Sequence, residues 1–351
     1  MTTTTGQTAG FMERLAAGSV ICAEGYLFEL ERRGYLQAGA FVPEVVLAHP
    51  EEVTALHREF VHAGSDVVEA FTYYGHREKL RPIGKEDLLE PLNRTALELA
   101  SAVARETGTL LAGTICNTNV FTPDDDDARR IVRSIFDEQV AWAAEAGVDV
   151  IVAETLDWTD EALLALESIR AAGLASVVTL AVHRQGTMRD GRSAAEVCRV
   201  LADAGADVVG LNCARGPATM LPLLAEVVLA VDVPVAALPV PYRTTAEQPT
   251  FQSLHDAHYH GQPTGRPFPT GLDPFTCTRY EIGDFTRQAH DMGVRYLGVC
   301  CGAGPHHVRA LAEAVGKAPP ASRYSPDMSK HAFLGSHDRL AKVQKEYAPK
   351  L

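Results

Sequence analysis

The segment Ala204-Gly205-Ala206-Asp207-Val208-Val209-Gly210-Leu211-Asn212-Cys213 decides the fold. A helix-like run ends on Ala204, a glycine follows, and Asp207 leads into a short apolar run. Glycine just past a helix supplies the left-handed residue that closes it. The same junction recurs at Ala63-Gly64-Ser65-Asp66, Ala146-Gly147-Val148-Asp149 and Met292-Gly293-Val294-Arg295. Working outward from these junctions, eight apolar, β-branched runs read as strands, at residues 20–24, 66–72, 110–116, 148–154, 176–182, 207–213, 233–240 and 295–301. Each is followed by an amphipathic stretch that reads as a helix, at 43–63, 85–106, 127–146, 160–171, 193–204, 217–230, 280–291 and 305–315. Near-continuous apolar strands are expected where both faces are buried, as in a parallel sheet covered by helices. Eight such βα units favour an α/β (β/α)8 TIM barrel over the alternative, a doubly wound open sheet.

The chain has 351 residues, 46% of them hydrophobic and 22% charged, enough apolar material for one large barrel. The barrel is expected over residues 11–318. Residues 1–10, Thr-rich and polar, read as a flexible terminus without the basic and apolar regions of a signal peptide. Residues 319–351 read as a polar C-terminal arm, with a helix over 337–347 and a role at a homo-oligomer contact. The net charge of -13 disfavours nucleic acid and anionic membranes as partners, since phosphate binding wants a basic surface. No stretch reaches the roughly 20 apolar residues of a membrane span. Seven scattered cysteines, an odd number, read as reduced thiols and predict a cytoplasmic protein.

In a barrel the chemistry lies where strands end and βα loops begin. That rule selects Glu24-Gly25, Phe71-Thr72-Tyr73-Tyr74, Cys116-Asn117, Glu154-Thr155, His183, Asn212-Cys213, Pro241-Tyr242 and Cys300-Cys301-Gly302 as candidates. The long segment 241–274, rich in His, Pro, Gly and Gln, reads as functional or mobile.

Cys213, Cys300 and Cys301 gather at two of the eight strand ends. Adjacent residues inside a strand point to opposite faces, but that alternation relaxes where the strand breaks into a glycine loop. Both Cys300 and Cys301 can then turn toward one ion, and in a closed barrel Cys213 reaches the same mouth. Three thiolates without a fourth protein ligand suit Zn2+ in a catalytic site, because soft sulfur selects zinc and catalytic zinc keeps one position for substrate. The competing reading is three buried apolar cysteines, and it applies most naturally to Cys22, Cys116, Cys198 and Cys277. Asp124 to Asp127 read as helix N-terminal partners, and His306 and His307 as capping groups.

Two of these segments, Gly210-Leu211-Asn212-Cys213 and Gly298-Val299-Cys300-Cys301-Gly302, resemble the paired zinc motifs of the homocysteine S-methyltransferase family, most of all its betaine–homocysteine branch. The resemblance runs through Phe11-Met12-Glu13-Arg14-Leu15, Leu30-Glu31-Arg32-Arg33-Gly34-Tyr35, His57-Arg58-Glu59-Phe60 and Phe71-Thr72-Tyr73-Tyr74. It continues at Phe268-Pro269-Thr270-Gly271-Leu272 and Gly293-Val294-Arg295-Tyr296, covers roughly residues 10–315 and touches Met328-Ser329-Lys330. It implies direct methyl transfer from betaine, or a related quaternary ammonium donor, to a zinc-held homocysteine thiolate, giving methionine and dimethylglycine. The family's pattern assigns the metal to Cys213, Cys300 and Cys301 and the homocysteine ammonium to Glu154. It assigns the donor cation to Tyr73 and Tyr74, with Phe41 standing where the family has tryptophan. Gly25, Asn212 and Tyr242 join them as substrate-binding candidates from the strand ends.

Two departures from the pattern bear on the substrates. Where the family's first strand ends Asp-Gly-Gly, this chain has Ala23-Glu24-Gly25. Glu24 takes over, or Glu69 contributes, or the acceptor is not homocysteine. Thr155 follows Glu154 where close members carry an aromatic residue, which leaves Trp158 as the candidate to supply that ring. Other readings stay open: a sulfonium donor (S-methylmethionine or dimethylsulfoniopropionate) or another N-methylated betaine, a metal-dependent barrel lyase, and a non-catalytic zinc-binding protein.

Overall fold

The computed structural model describes residues 10–261 and 265–350. The flexible terminus expected over residues 1–10 lies outside them except for Gly10. Eight parallel strands close into a barrel in sequence order: β1 (Val20–Ala23), β2 (Val67–Glu69), β3 (Leu110–Cys116), β4 (Val150–Leu156), β5 (Ser176–Leu180), β6 (Val208–Asn212), β7 (Val235–Leu238) and β8 (Tyr296–Val299). The ring closes between β1 and β8, with Val20 opposite Tyr296 and Ala23 opposite Val299. The outer layer comprises the helices Pro50–Ala63, Leu89–Thr107, Asp126–Ala146, Thr159–Ala171, Ala194–Asp203, Pro217–Ala230, Arg279–Met292 and Pro305–Ala314, one after each strand. The fold is a (β/α)8 barrel, and the open-sheet alternative is excluded.

The recurring helix–glycine–strand junction has a physical cause at the lower face of the barrel. Gly64, Gly147 and Gly293 end their helices in the left-handed conformation, and Gly205 also has positive φ. The aspartate two residues on then pins the start of the preceding strand. Asp66 accepts the Ile21 N–H at 2.7 Å, Asp149 that of Leu111 at 2.8 Å and Asp207 that of Ser176 at 2.9 Å. Inside the barrel, Val67, Leu110, Val150, Val177 and Tyr296 form a packed apolar floor. The upper mouth is left for chemistry.

The differences from expectation lie at element ends. Six of the eight strands stop before their predicted C-terminal ends, because the chain must bend outward at the mouth. β4 instead runs on to Leu156 through a register shift between Ala153 and Leu156, where Thr155 is left-handed. The helix predicted over 43–63 is broken into Val45–Ala48 and Pro50–Ala63. Its break falls at His49, where the following proline ring disfavours helical backbone. Helices Phe11–Ala17 and Tyr26–Arg32 were not anticipated. In the arm, the helix expected over 337–347 is confined to Lys342–Tyr347. Among the described residues no helix is long and apolar enough to cross a membrane.

Candidate active site at the mouth of the barrel

β6 ends at Asn212, and the next two residues, Cys213 and Ala214, turn left-handed with φ of 53° and 52°. β8 ends at Val299, so Cys300 and Cys301 lie just beyond it and not inside it. Gly302, at φ 93°, then reverses the chain; a Cβ there would lie 2.1 Å from the Tyr242 hydroxyl, so only glycine admits this turn. These two bends bring the sulfurs of Cys213, Cys300 and Cys301 within 4.8 Å of one another, all buried. All seven cysteines are free thiols. Hydrogen bonds from the Cys300 and Cys301 thiols hold Cys213 well below the ordinary thiol range. Cys300 is pushed up mainly by burial, and Cys301 by its bond to Cys213.

Beside the sulfurs lies a small cavity walled by three carboxylates: Glu24 just past β1, Glu69 at the end of β2 and Glu154 within β4. Asn212 organises two of them, donating Nδ2 to Glu154 at 3.0 Å and to Glu24 at 3.2 Å. Glu69 is already engaged, accepting the Thr114 hydroxyl at 2.6 Å with the Cys22 sulfur 3.6 Å away. Glu24 keeps one buried oxygen, Oε1, with no protein partner. Burial is the largest cause that raises all three carboxyls. Mutual repulsion adds to it at Glu24 and Glu154, and Glu69 is pushed to about 7. An orphan oxygen among crowded buried carboxylates is suited to a cation, because unpaired buried charge is costly. Gly25 opens the helix Tyr26–Arg32, and a Cβ on it would meet the Ala303 carbonyl at 2.4 Å, so its bareness lets that helix approach the cysteine loop.

On the other side of the sulfurs is a larger pocket lined by Phe28, Phe41, Tyr73, Tyr74, Phe251 and Phe268, together with Cys213 and Cys301. Tyr73 and Cys301 line both cavities, so the sulfur cluster stands at their junction. The Tyr73 and Tyr74 rings lie 4.3 Å apart, and Phe251 meets Phe268 edge to face at 4.9 Å. Five non-glycine residues of this wall, Phe41, Tyr74, Thr155, Cys213 and Ala214, have left-handed backbone. Such strain persists only where surrounding structure over-determines it, and it gathers at functional sites. One such support is Cys116, read from sequence as plain core, whose sulfur accepts the Tyr74 N–H at 3.2 Å.

Not every candidate joins the site. Trp158 packs on Phe121 at 5.7 Å and is not among the pocket's lining residues, so the ring expected from it comes from elsewhere. Phe28, Phe251 and Phe268 supply aromatic surface that sequence reading missed. Tyr242 is 1% exposed and stacks on Phe251 behind Gly302, lining neither cavity. His307 is a capping group: its Nδ1 accepts the Gly304 N–H at 3.2 Å and its Nε2 bonds the Cys277 carbonyl at 2.9 Å. Asp125 caps the helix Asp126–Ala146 through the N–H groups of Asp127 and Ala128.

Comparison with known proteins shows the family. A family model described as homocysteine S-methyltransferase matches residues 21–315. Betaine–homocysteine S-methyltransferase 1 of Xenopus tropicalis is 36% identical over 337 residues, covering 95% of this chain and 81% of that protein. S-methylmethionine–homocysteine S-methyltransferase of Mus musculus is 34% identical over 335 residues, covering 93% and 86%. The crystal structure of an Escherichia coli homocysteine methyltransferase in metallated form shares the fold, with a TM-score of 0.65 at 19% identity over 86% of this chain and 98% of that one. The chain is therefore a barrel-fold S-methyltransferase. It belongs to the homocysteine S-methyltransferase family.

Proposed function

We propose that the protein is a zinc-dependent enzyme that moves a methyl group from betaine, or a related quaternary ammonium donor, to homocysteine. The observation that carries this reading is the position of three converging sulfurs between a carboxylate-walled cavity and an aromatic pocket. The donor set fits zinc: three soft, buried sulfurs. The second cluster of metal-ligating atoms, Glu24, Glu154 and Cys300, offers one sulfur and two hard oxygens already tied to Asn212. Cys213, Cys300 and Cys301 would hold the zinc, and the chemistry it would supply there is Lewis acidity that keeps an acceptor thiol deprotonated near neutral pH.

The remaining work falls to the chain's own groups. Glu24 and Glu154 receive the homocysteine ammonium, with Asn212 fixing both carboxylates. The aromatic pocket takes the onium head, which is drawn to ring faces by about 0.5–2 kcal/mol per ring. Its rings also exclude water from the reacting atoms. The acceptor sulfur forms a bond to the methyl carbon as the carbon–nitrogen bond breaks, and that electron pair stays on nitrogen. The products are methionine and neutral-nitrogen dimethylglycine, with no covalent protein intermediate.

A second reading keeps this chemistry with a sulfonium donor. It is favoured by the likeness to a relative named for S-methylmethionine, and a small sulfonium head suits the same rings. The two are separated by incubating zinc-loaded enzyme and homocysteine with each donor and following methionine by mass spectrometry. Methionine from betaine supports the first reading, methionine from sulfonium compounds alone supports the second, and none from any donor overturns both. We infer further a cytoplasmic homo-oligomer acting on small molecules. Seven free thiols support the reducing compartment, and the polar arm at 319–351 is the candidate contact.

A further inference from the structure

The aromatic pocket carries one group that methyl transfer, as read above, does not use. Among the described lining residues, His183 alone has a side chain able to carry positive charge. It follows β5, three strands round the barrel from β2, beyond whose end Tyr73 and Tyr74 stand. Its ring is fixed by Asp157, whose Oδ2 lies 3.1 Å from Nε2. Asp157 is 9% exposed on its side chain and is held in turn by Arg189 Nε at 3.0 Å. The backbone is anchored too, the His183 carbonyl accepting from Arg215 Nη2 at 2.8 Å. Among the described residues Nδ1 has no hydrogen-bond partner.

We propose that His183, oriented by Asp157, is a specificity-determining residue that hydrogen-bonds a carboxylate on the methyl donor, so that the enzyme selects carboxylate-bearing onium compounds over bare onium cations. The inference rests on the reading of the aromatic pocket as the donor site. Ring faces attract any onium head and cannot tell a zwitterion from a simple cation. The rest of the pocket's described lining offers a donor carboxylate no cationic partner: beside its rings, apolar side chains and two cysteines it holds only Asn117, Thr155 and Gln252. A carboxylate there finds an open ring nitrogen on His183, and a hydrogen bond to an ionised acceptor is the strong kind. Tyr73, Tyr74 and His183 line one pocket from strands three apart, so a donor whose onium head meets the tyrosines has His183 on the same wall to receive its tail. His183 also borders a cleft lined by Gln185, Thr187, Met188, Arg189 and Gly191, so this is the solvent side of the pocket. Lys79 is the rival cation, but its ammonium sits 3.8 Å over the Tyr74 ring and outside the lining.

The test is calorimetric titration of zinc-loaded protein without homocysteine, so that no methyl transfer occurs, using two ligand pairs. One pair is glycine betaine and ethyltrimethylammonium; the other is dimethylsulfoniopropionate and trimethylsulfonium. Wild type is expected to bind the carboxylate member of its preferred pair about tenfold tighter. His183→Leu should remove about that tenfold preference while the bare cation shifts less than about twofold, and His183→Gln should restore part of it. Unchanged carboxylate binding in His183→Leu, or equal weakening of both members, overturns the inference and leaves the donor pocket standing. If no member of either pair binds wild type, the donor-pocket reading itself falls, and the inference with it.

Discussion

Asn212 donates its side-chain amide to Glu154 at 3.0 Å, and that bond ties the carboxylate cavity to the sulfur cluster. The same amide reaches Glu24 at 3.2 Å, the side-chain oxygen accepts the Thr155 N–H at 2.9 Å, and the next residue along the chain is Cys213. One residue at the end of β6 thus sets two carboxylates and the β4 register shift beside a candidate ligand. Asn212→Ala strands two buried carboxylates and a buried N–H, at about 1–3 kcal/mol for each group. Steady-state kinetics should show the homocysteine KM rising by about tenfold or more, with a lower Tm. An unchanged homocysteine KM would break the link.

The free oxygen of Glu24 and the engaged oxygens of Glu69 predict an unequal pair of variants. Glu24→Gln should raise the homocysteine KM by about 10–100-fold, the worth of one charged hydrogen bond. Glu69→Gln should raise it far less, because Thr114 and Cys22 already occupy that carboxylate. The reverse ranking would move the ammonium site to Glu69.

Tyr74 lines the aromatic pocket but not the carboxylate cavity. Tyr74→Leu should therefore raise the donor KM by about 2–30-fold, the range of one cation–ring contact, and leave the homocysteine KM nearly unchanged. Equal effects on both substrates would mean a general collapse of the mouth.

His57 is fully buried under Tyr26, with Nδ1 3.0 Å from the tyrosine hydroxyl, and burial pushes its imidazole down to about 3. The folded value lies below the unfolded value of about 6.5, so the unfolded chain takes up the proton first. Its contribution to stability is full above about pH 6.5 and is lost as pH falls toward 3, by roughly 2 kcal/mol at pH 5. Urea denaturation at pH 7.5 and pH 5.0 checks this. His57→Gln should lose less stability between the two than wild type, by about that amount. An identical loss in both would refute the assignment.

Much of the barrel was legible because Gly64, Gly147, Gly205 and Gly293 repeat one junction whose aspartates at 66, 149 and 207 bond the neighbouring strand. The strand-end rule then led to Glu24, Tyr73, Glu154 and the three cysteines, since closure alone brings strand ends to one mouth. The aromatic wall was harder. Phe251 and Phe268 arrive from the long segment after β7, where no period constrains the backbone. Phe28 rides on the short helix Tyr26–Arg32, whose signal was the glycine at its start followed by an apolar turn. Trp158 was misjudged because the left-handed Thr155 redirects the chain after Glu154, and the indole turns to Phe121.

The most direct test of the central claim is zinc content and methionine formation measured on the same preparations of wild type, Cys213→Ala, Cys300→Ala and Cys301→Ala. The account predicts about one zinc per wild-type chain, with metal and turnover lost together in each variant. A Cys301→Ala protein that holds no zinc and still methylates homocysteine at the wild-type rate would contradict it.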